Sequence, residues 1–528
     1  MGVSIEGLTV SIGGKDVVRG VDVSVGQGER VGLVGASGSG KTMISKAIMG
    51  LLPIQADVSG SIRLGGRQIV GCADGDMADI RGRDIALVPQ NPMTALNPVE
   101  RVGWQVGRAL RIHTDLDRGR RRACVLRALE SVGLDPEVAG RYPHELSGGQ
   151  CQRVCMAAAI VTSPRLIIAD EPTTALDSLA QREVIELLIR LVERTGSSLL
   201  FITHDYAVLS RVVTRTYVVD GGCVVESAPI ADLIAAPKSP AGVRLASAAR
   251  FLTLGRVSGE VVSRSQKPAM RSSVEPVLSA RGLTVFRGAG HARVRILEDV
   301  DLDVASGRAL AVIGGSGSGK TTLVRALLGL ENDRGGSVSY RGLAVAEPTS
   351  PGCRALRREA SMVSQSPFAS LDPWWSVERS VAEPLRIAGW KDRAKIRARV
   401  EWALTVVGLE PSLFMRRYPV DLSGGQAQRV ALARAMSTRP HVIVADEPMS
   451  ALDVVSRTQV IDAFAAMREA SPDMALVIVS HDLGVVHRIA DDVVALHDGR
   501  VVERNRVGDL IAKPRSQYVR SLVDAATM

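Results

Sequence analysis

The 528-residue chain is 46% hydrophobic and 23% charged, an ordinary balance for a globular protein, and its length exceeds what one hydrophobic core fills, so roughly two to four domains are expected. Aromatic residues are scarce at 3%, which disfavours stacking on nucleic acid bases, and a net charge of +9 is modest for this length. No apolar run approaches the about 18 residues of a membrane-crossing helix, and the N-terminal stretch has neither a signal-peptide core nor an acylation motif.

Short strands and glycine-rich turns come first. Arg30-Val31-Gly32-Leu33-Val34 reads as a buried strand, and residues 44–52 read as a helix. Between them lies Gly35-Ala36-Ser37-Gly38-Ser39-Gly40-Lys41-Thr42, followed by Met43. This is G-x-x-x-x-G-K-[ST], a loop that cradles phosphate. Its glycines let consecutive backbone N–H groups turn inward, its lysine places a compact charge on terminal phosphates, and its threonine hydroxyl is suited to Mg²⁺.

Gln90 opens Gln90-Asn91-Pro92-Met93-Thr94-Ala95-Leu96-Asn97-Pro98. A mostly helical stretch then runs over 99–159. The arginines at 118 and 120–122 read first as a solvated helix face, ahead of a phosphate-rich partner such as lipid headgroups or RNA. Ser147-Gly148-Gly149-Gln150 opens a helix, where a hydroxyl and free N–H groups favour an anion. Leu166-Ile167-Ile168-Ala169-Asp170-Glu171 is a buried strand ending in two acids, and His204 tips the strand at 199–203. Ligands in parallel sheets gather at the carboxyl ends of strands. Asp170 is placed for a Mg²⁺ shell, Glu171 to polarise a water and His204 to meet a terminal phosphate. None of the six cysteines forms C-x-x-C. Cys151 and Cys155, one helical turn apart, read as small buried residues, and the cysteine usage fits a reducing, cytoplasmic setting.

Residues 255–276 are rich in Ser, Arg and Val without periodicity and read as a linker. The chain then repeats itself. Strand Ala309-Leu310-Ala311-Val312-Ile313 precedes Gly314-Gly315-Ser316-Gly317-Ser318-Gly319-Lys320-Thr321, with Thr322 next and a helix over 323–330. Gln365 opens Q-x-P-x-x-x-L-D-P, helices fill 377–436, Ser423-Gly424-Gly425-Gln426 opens the last of them, and Asp446, Glu447 and His481 close two apolar runs. Lysines, glutamines, serines, aspartates and histidines recur 275 to 279 residues apart, so both halves share one fold. The expected organisation is residues 1–250, a linker at 251–276 and residues 277–528.

With phosphate loop, Gln, Leu-Ser-Gly-Gly-Gln, Asp-Glu-Pro, Ala-Leu-Asp and His in the same order in each half, the chain resembles the ATP-binding cassette (ABC) ATPases over nearly its whole length. The resemblance implies an α/β fold: two tandem P-loop domains, each a RecA-like core with an antiparallel β subdomain and a helical subdomain. It implies ATP and Mg²⁺ as cofactors, with Thr42, Gln90, Asp170, Thr321, Gln365 and Asp446 at the metal. It implies that the signature residues of one half complete the ATP site of the other, with Asp177 and Asp453 at the seam. Both acid–histidine sets are complete, so two hydrolysing sites are expected. The shared Q-x-P-x-x-x-L-[ND]-P is similar to the ATPases of oligopeptide, dipeptide and nickel importers. That subgroup implies two membrane permeases and an extracytoplasmic solute-binding protein as partners, no nucleic acid, and a peripheral place on the cytoplasmic face of the membrane. The alternative is a soluble tandem ABC protein acting on ribosomes or DNA. An adenine-stacking aromatic is not evident near Ile12, and Phe286 is its counterpart in the second half only if the register shifts.

Overall fold

A computed structural model describes residues 2–173, 176–254, 275–288, 293–450 and 452–527. The chain forms two compact units that part between Arg250 and Phe251. Most of the expected linker, including 255–274, lies outside the described residues, while its first residues, 251 and 252, belong to the helix Pro240–Leu252. Among the described residues no helix is long and apolar enough to cross a membrane.

Each unit is built on a six-stranded sheet. In the first the order is Cys223–Pro229, Arg215–Asp220, Arg30–Val34, Ser198–Thr203, Leu166–Asp170, Ile85–Val88. All neighbours run parallel except the edge strand Cys223–Pro229. The second unit repeats this: Arg500–Arg506, Asp492–His497, Ala309–Ile313, Ala475–Val479, Val442–Asp446, Ala360–Val363. Strands Leu166–Asp170, Val442–Asp446 and Ala475–Val479 are buried at every residue, as unbroken Val/Ile/Leu/Ala runs require when both faces are covered.

A second, antiparallel sheet covers one side of each core. It pairs Val3–Ile12 with Lys15–Val25 and Ala56–Leu64, and in the second unit Leu278–Arg287 with Val294–Val304 and Arg334–Tyr340. The helical insert follows. In the first unit it comprises Val102–Val106, Arg108–His113, Arg118–Ser131 and Gly148–Ile160; in the second, Val377–Ile387, Arg393–Val406 and Gly424–Met436 are its main helices. Core sheet, antiparallel sheet and helical insert are the three parts that the α/β expectation names.

The helices after the phosphate loops begin three residues earlier than their hydrophobic pattern predicts. They span Lys41–Met49 and Lys320–Leu327. The left-handed glycines Gly40 (φ 106°) and Gly319 (φ 99°) turn the chain so sharply that the lysine is already helical. Gly50, also left-handed, ends the first helix.

Candidate functional site

In the first unit the strands ending at Val34, Val88, Asp170 and Thr203 deliver the loop, Gln90, the acids and His204 to one end of the sheet. Gly35 and Gly314 must lack a side chain. A Cβ there would strike the carbonyl oxygen of Val219 or of Leu496, and Ser39 or Ser318 Oγ at 2.6 Å. The loop therefore folds tightly against its sheet. Lys41, 5% exposed, donates from its ammonium to the carbonyls of Gly35 and Ala36 at 2.8 Å each. Lys320 repeats this with Gly314 at 2.9 Å and Gly315 at 2.7 Å. Burial holds both lysines below their ordinary pKa, opposed by Glu171 and Asp170 at Lys41 and by Glu447 and Asp446 at Lys320. Each is a compact charge fixed at the mouth of the loop.

The hydroxyls of Thr42 and Thr321 lie by the carboxylates of Asp170 and Asp446 and work against the effect of burial on them. Ser45, which its sequence position did not single out, donates to Asp170 Oδ2 at 3.4 Å. It sits one helical turn after the lysine, on the face that meets the strand end. Burial pushes both aspartates above the usual carboxylate range. Asp170 Oδ1 and Asp446 Oδ1 are buried without a hydrogen-bond partner among the described residues. A carboxylate oxygen left so, beside a threonine hydroxyl, fits a hard divalent cation.

The glutamates are set by their backbone. Glu171 has φ 45° and Glu447 φ 44°, left-handed conformations that cost a non-glycine residue about 1–3 kcal/mol. Each is pinned by its own N–H, which donates to the carbonyl of Ile202 at 2.9 Å or of Val479 at 3.1 Å. The turn aims the carboxylate between two neighbours. Gln90 Nε2 donates to Glu171 Oε2 at 2.8 Å, and His204 Nδ1 stands 3.2 Å from Oε1. In the second unit Gln365 Nε2 donates to Glu447 Oε2 at 3.1 Å and His481 Nδ1 lies 3.6 Å from Oε1. His481, then Lys320, hold the Glu447 carboxyl below its usual pKa against the effect of burial. Glutamine, glutamate and histidine thus meet in both units, from positions up to 116 residues apart. A small cleft lies beside Glu447 and His481, lined also by Met449, Ser450 and Ser480.

The signature segments carry a helix cap. Ser147 Oγ accepts from the Gln150 N–H at 3.3 Å and Gln150 Oε1 accepts from the Ser147 N–H at 3.0 Å, with the same pair at Ser423 and Gln426. Capping accounts for the serines and glutamines. It does not account for Gly148 and Gly149, where an added Cβ would meet nothing and φ is not positive. Of the Ala-Leu-Asp segments, Ala175 and Ala451 lie outside the described residues. Phe286, considered for adenine, is covered on one face by the Arg293 guanidinium at 4.0 Å.

Fold and site together define a doubled P-loop ATPase. Residues 18–174 and 297–450 each match the ABC transporter family. The glutathione import ATP-binding protein GsiA of Pectobacterium atrosepticum is 36% identical across 97% of this chain and 86% of its own. The oligopeptide transport ATP-binding protein OppD of Mycobacterium tuberculosis is 34% identical across 96% and 95%. A solved dimeric ATP-binding cassette, MJ0796 after hydrolysis with ADP and Pi, aligns with 44% of this chain and 98% of its own, at 27% identity and a TM-score of 0.40. The chain belongs to the ABC transporter family. It is an ATP-hydrolysing subunit of that family, with both ATP-binding cassettes on one polypeptide.

Proposed function

We propose that this chain powers uptake of oligopeptides or a related small solute through two separate membrane permeases, fed by an extracytoplasmic binding protein. The relatives named for glutathione import and oligopeptide transport support the cargo class, since they align over nearly the whole chain. The repeated Q-x-P-x-x-x-L-[ND]-P supports the same reading. In this reading the protein sits on the cytoplasmic face of the membrane, held there by its permeases.

The observation that carries the catalytic part is the glutamine–glutamate–histidine contact, present in both units. ATP phosphates lie in the loops 35–43 and 314–322, whose backbone N–H groups, lysines and helix N-termini favour anions. Thr42, Asp170 and Gln90, and Thr321, Asp446 and Gln365, hold Mg²⁺, which when bound neutralises phosphate charge. Glu171 and Glu447 accept the proton of the attacking water. Gln90 and Gln365 donate to one oxygen of each carboxylate and orient it, while His204 and His481 stand beside the other. His204 and His481 donate to the terminal phosphate. Gly148, Gly149, Gly424 and Gly425, with Ser147, Gln150, Ser423 and Gln426, offer helix N-termini to ATP phosphate. Side-chain-free positions allow the close approach.

The test is the double variant Glu171→Gln, Glu447→Gln with Mg-ATP, which keeps binding and removes the base. Recovery of two permeases in a membrane pull-down is the expected result. Recovery of ribosomes or DNA without any membrane protein would reverse the proposal.

A further inference from the structure

Nearly all of the chain's excess positive charge sits in two short corners. Residues 108–122 hold six arginines and two aspartates, and residues 386–397 hold three arginines, two lysines and one aspartate. Each corner is +4, so the remaining residues are close to neutral against a total of +9. In each unit the corner joins two helices of the insert, Arg108–His113 to Arg118–Ser131 and Val377–Ile387 to Arg393–Val406.

The corners correspond. Arg111, Arg118, Arg120 and Arg122 each have a cation 275 residues further on, the interval that separates Gln90 from Gln365. So does Ile112, whose counterpart is Ile387. These isoleucines are 65% and 80% exposed. A half-exposed tryptophan lies close in sequence to each. The guanidiniums of Arg108 and Arg111 lie 4.6 and 3.8 Å from the Trp104 ring, and that of Arg399 lies 5.7 Å from the Trp390 ring. Asp117 and Asp392 cap the second helix of each corner, and in the second corner Lys395 also pairs with Asp392 and Arg397 with Glu401, which leaves Arg386, Lys391 and Arg393 without a carboxylate partner among the described residues. Arg120 pairs with Asp117 and Arg108 with Glu100, but the other four arginines of the first corner meet no carboxylate among the described residues. Arg108 and Arg121 add their repulsion to desolvation in lowering the Arg111 pKa.

A solvated helix face needs neither a net charge of +4 nor an exposed isoleucine at its tip. We infer that these two corners rest on the anionic headgroups of a phospholipid bilayer, with Ile112 and Ile387 entering the interface. Cations draw the corner to the negatively charged surface, and tryptophan and isoleucine gain at the headgroup–acyl boundary. A nucleic acid backbone satisfies the cations but has no use for the isoleucines. The inference stands on the charge and exposure of the corners and not on the identity of the cargo.

The experiment is flotation of the purified full chain, without permeases, on vesicles. One set is phosphatidylcholine alone, and the other contains about 30 mol % phosphatidylglycerol. Binding to the anionic set about tenfold or more above the neutral set, lost near 0.5 M salt, is the expected result. Arg118→Glu, Arg122→Glu, Lys391→Glu and Arg393→Glu together abolish it, while Ile112→Ser with Ile387→Ser weakens it several-fold at unchanged charge. ATPase activity of the free protein, unaltered in both variants, shows that they fold. Equal binding to both vesicle sets, or indifference to the charge reversals, overturns the inference. Retention by RNA with no vesicle binding assigns the corners to nucleic acid instead, and loss of permease co-purification with no vesicle binding assigns them to the permeases.

Discussion

The Gly315 N–H of the second phosphate loop donates to Tyr518 Oη at 2.5 Å. Tyr518 belongs to the last helix, Gln517–Thr527, and its ring stacks on His497 at 4.0 Å. Among the described residues the first unit has no such brace. Counting back 277 residues, the interval between His204 and His481, gives the buried Ala241. The two phosphate loops are therefore alike in sequence and unlike in support. Loss of one neutral hydrogen bond costs about 0.5–1.5 kcal/mol, so Tyr518→Phe is expected to weaken ATP binding at the second loop about two- to tenfold. Titration with fluorescent ATP checks this in two backgrounds, Lys41→Ala and Lys320→Ala, each silencing one loop. The effect is expected only with Lys41→Ala, and an equal effect in both refutes the brace.

The segment after Gln90 divides into an anchor and a surface. Leu96 is 7% exposed and belongs to the hydrophobic core of the first unit, as Leu371 does in the second. Met93, three residues before it, is 48% exposed, and Phe368 in the second unit is 46% exposed. Leu96→Ala is expected to destabilise the protein by about 2–5 kcal/mol, seen as a lower denaturant midpoint. Met93→Ser with Phe368→Ser is expected to leave that midpoint within about 0.5 kcal/mol and ATP hydrolysis by the free protein intact, while transport falls. Equal loss of hydrolysis and transport in the exposed-residue variant contradicts a coupling role for this surface.

Leu96 also marks what a sequence can and cannot disclose. The strands before the loops and before Asp170 and Asp446 are legible because apolar runs bounded by glycine or acid have few other uses. The duplication made each landmark count twice. Sequence spacing does not reveal that Glu171 adopts a left-handed backbone, because that turn depends on the neighbouring strand's Ile202 carbonyl. The early helix start at Lys41 was hidden because hydrophobic periodicity begins only where side chains turn inward, whereas Gly40 sets the start. Tyr518 was out of reach for a simpler reason. It lies 203 residues from Gly315, and only the folded sheet joins them.

The cysteines offer a check on the helical insert that needs no activity. Burial pushes the Cys155 thiol up to about 12 and raises Cys151 as well. At neutral pH neither forms appreciable thiolate, and neither is accessible. Cys72, Cys124 and Cys223 are partly exposed. Brief alkylation of the native protein followed by mass spectrometry is expected to label those three and spare Cys151 and Cys155 until the protein is unfolded. Native labelling of Cys155 contradicts the packing of helix Gly148–Ile160.

Asp170 and Asp446 each keep one buried carboxylate oxygen without a hydrogen-bond partner among the described residues, and at Asp170 the other oxygen accepts from Ser45. Such an oxygen is costly to bury unless a cation takes it up. Mn²⁺ takes the same oxygen ligands as Mg²⁺ and is visible by electron paramagnetic resonance. With ATP present, the wild-type chain is expected to hold two nucleotide-dependent Mn²⁺ ions. Asp170→Asn and Asp446→Asn should each remove one and together remove both, because an amide oxygen lacks the charge that repays dehydration of the ion. Chelation of the metal should abolish hydrolysis, and readdition of Mg²⁺ should restore it. Retention of both ions in either single variant means that the aspartates serve the sheet end and the hydroxyls around them, and that the cation is held elsewhere.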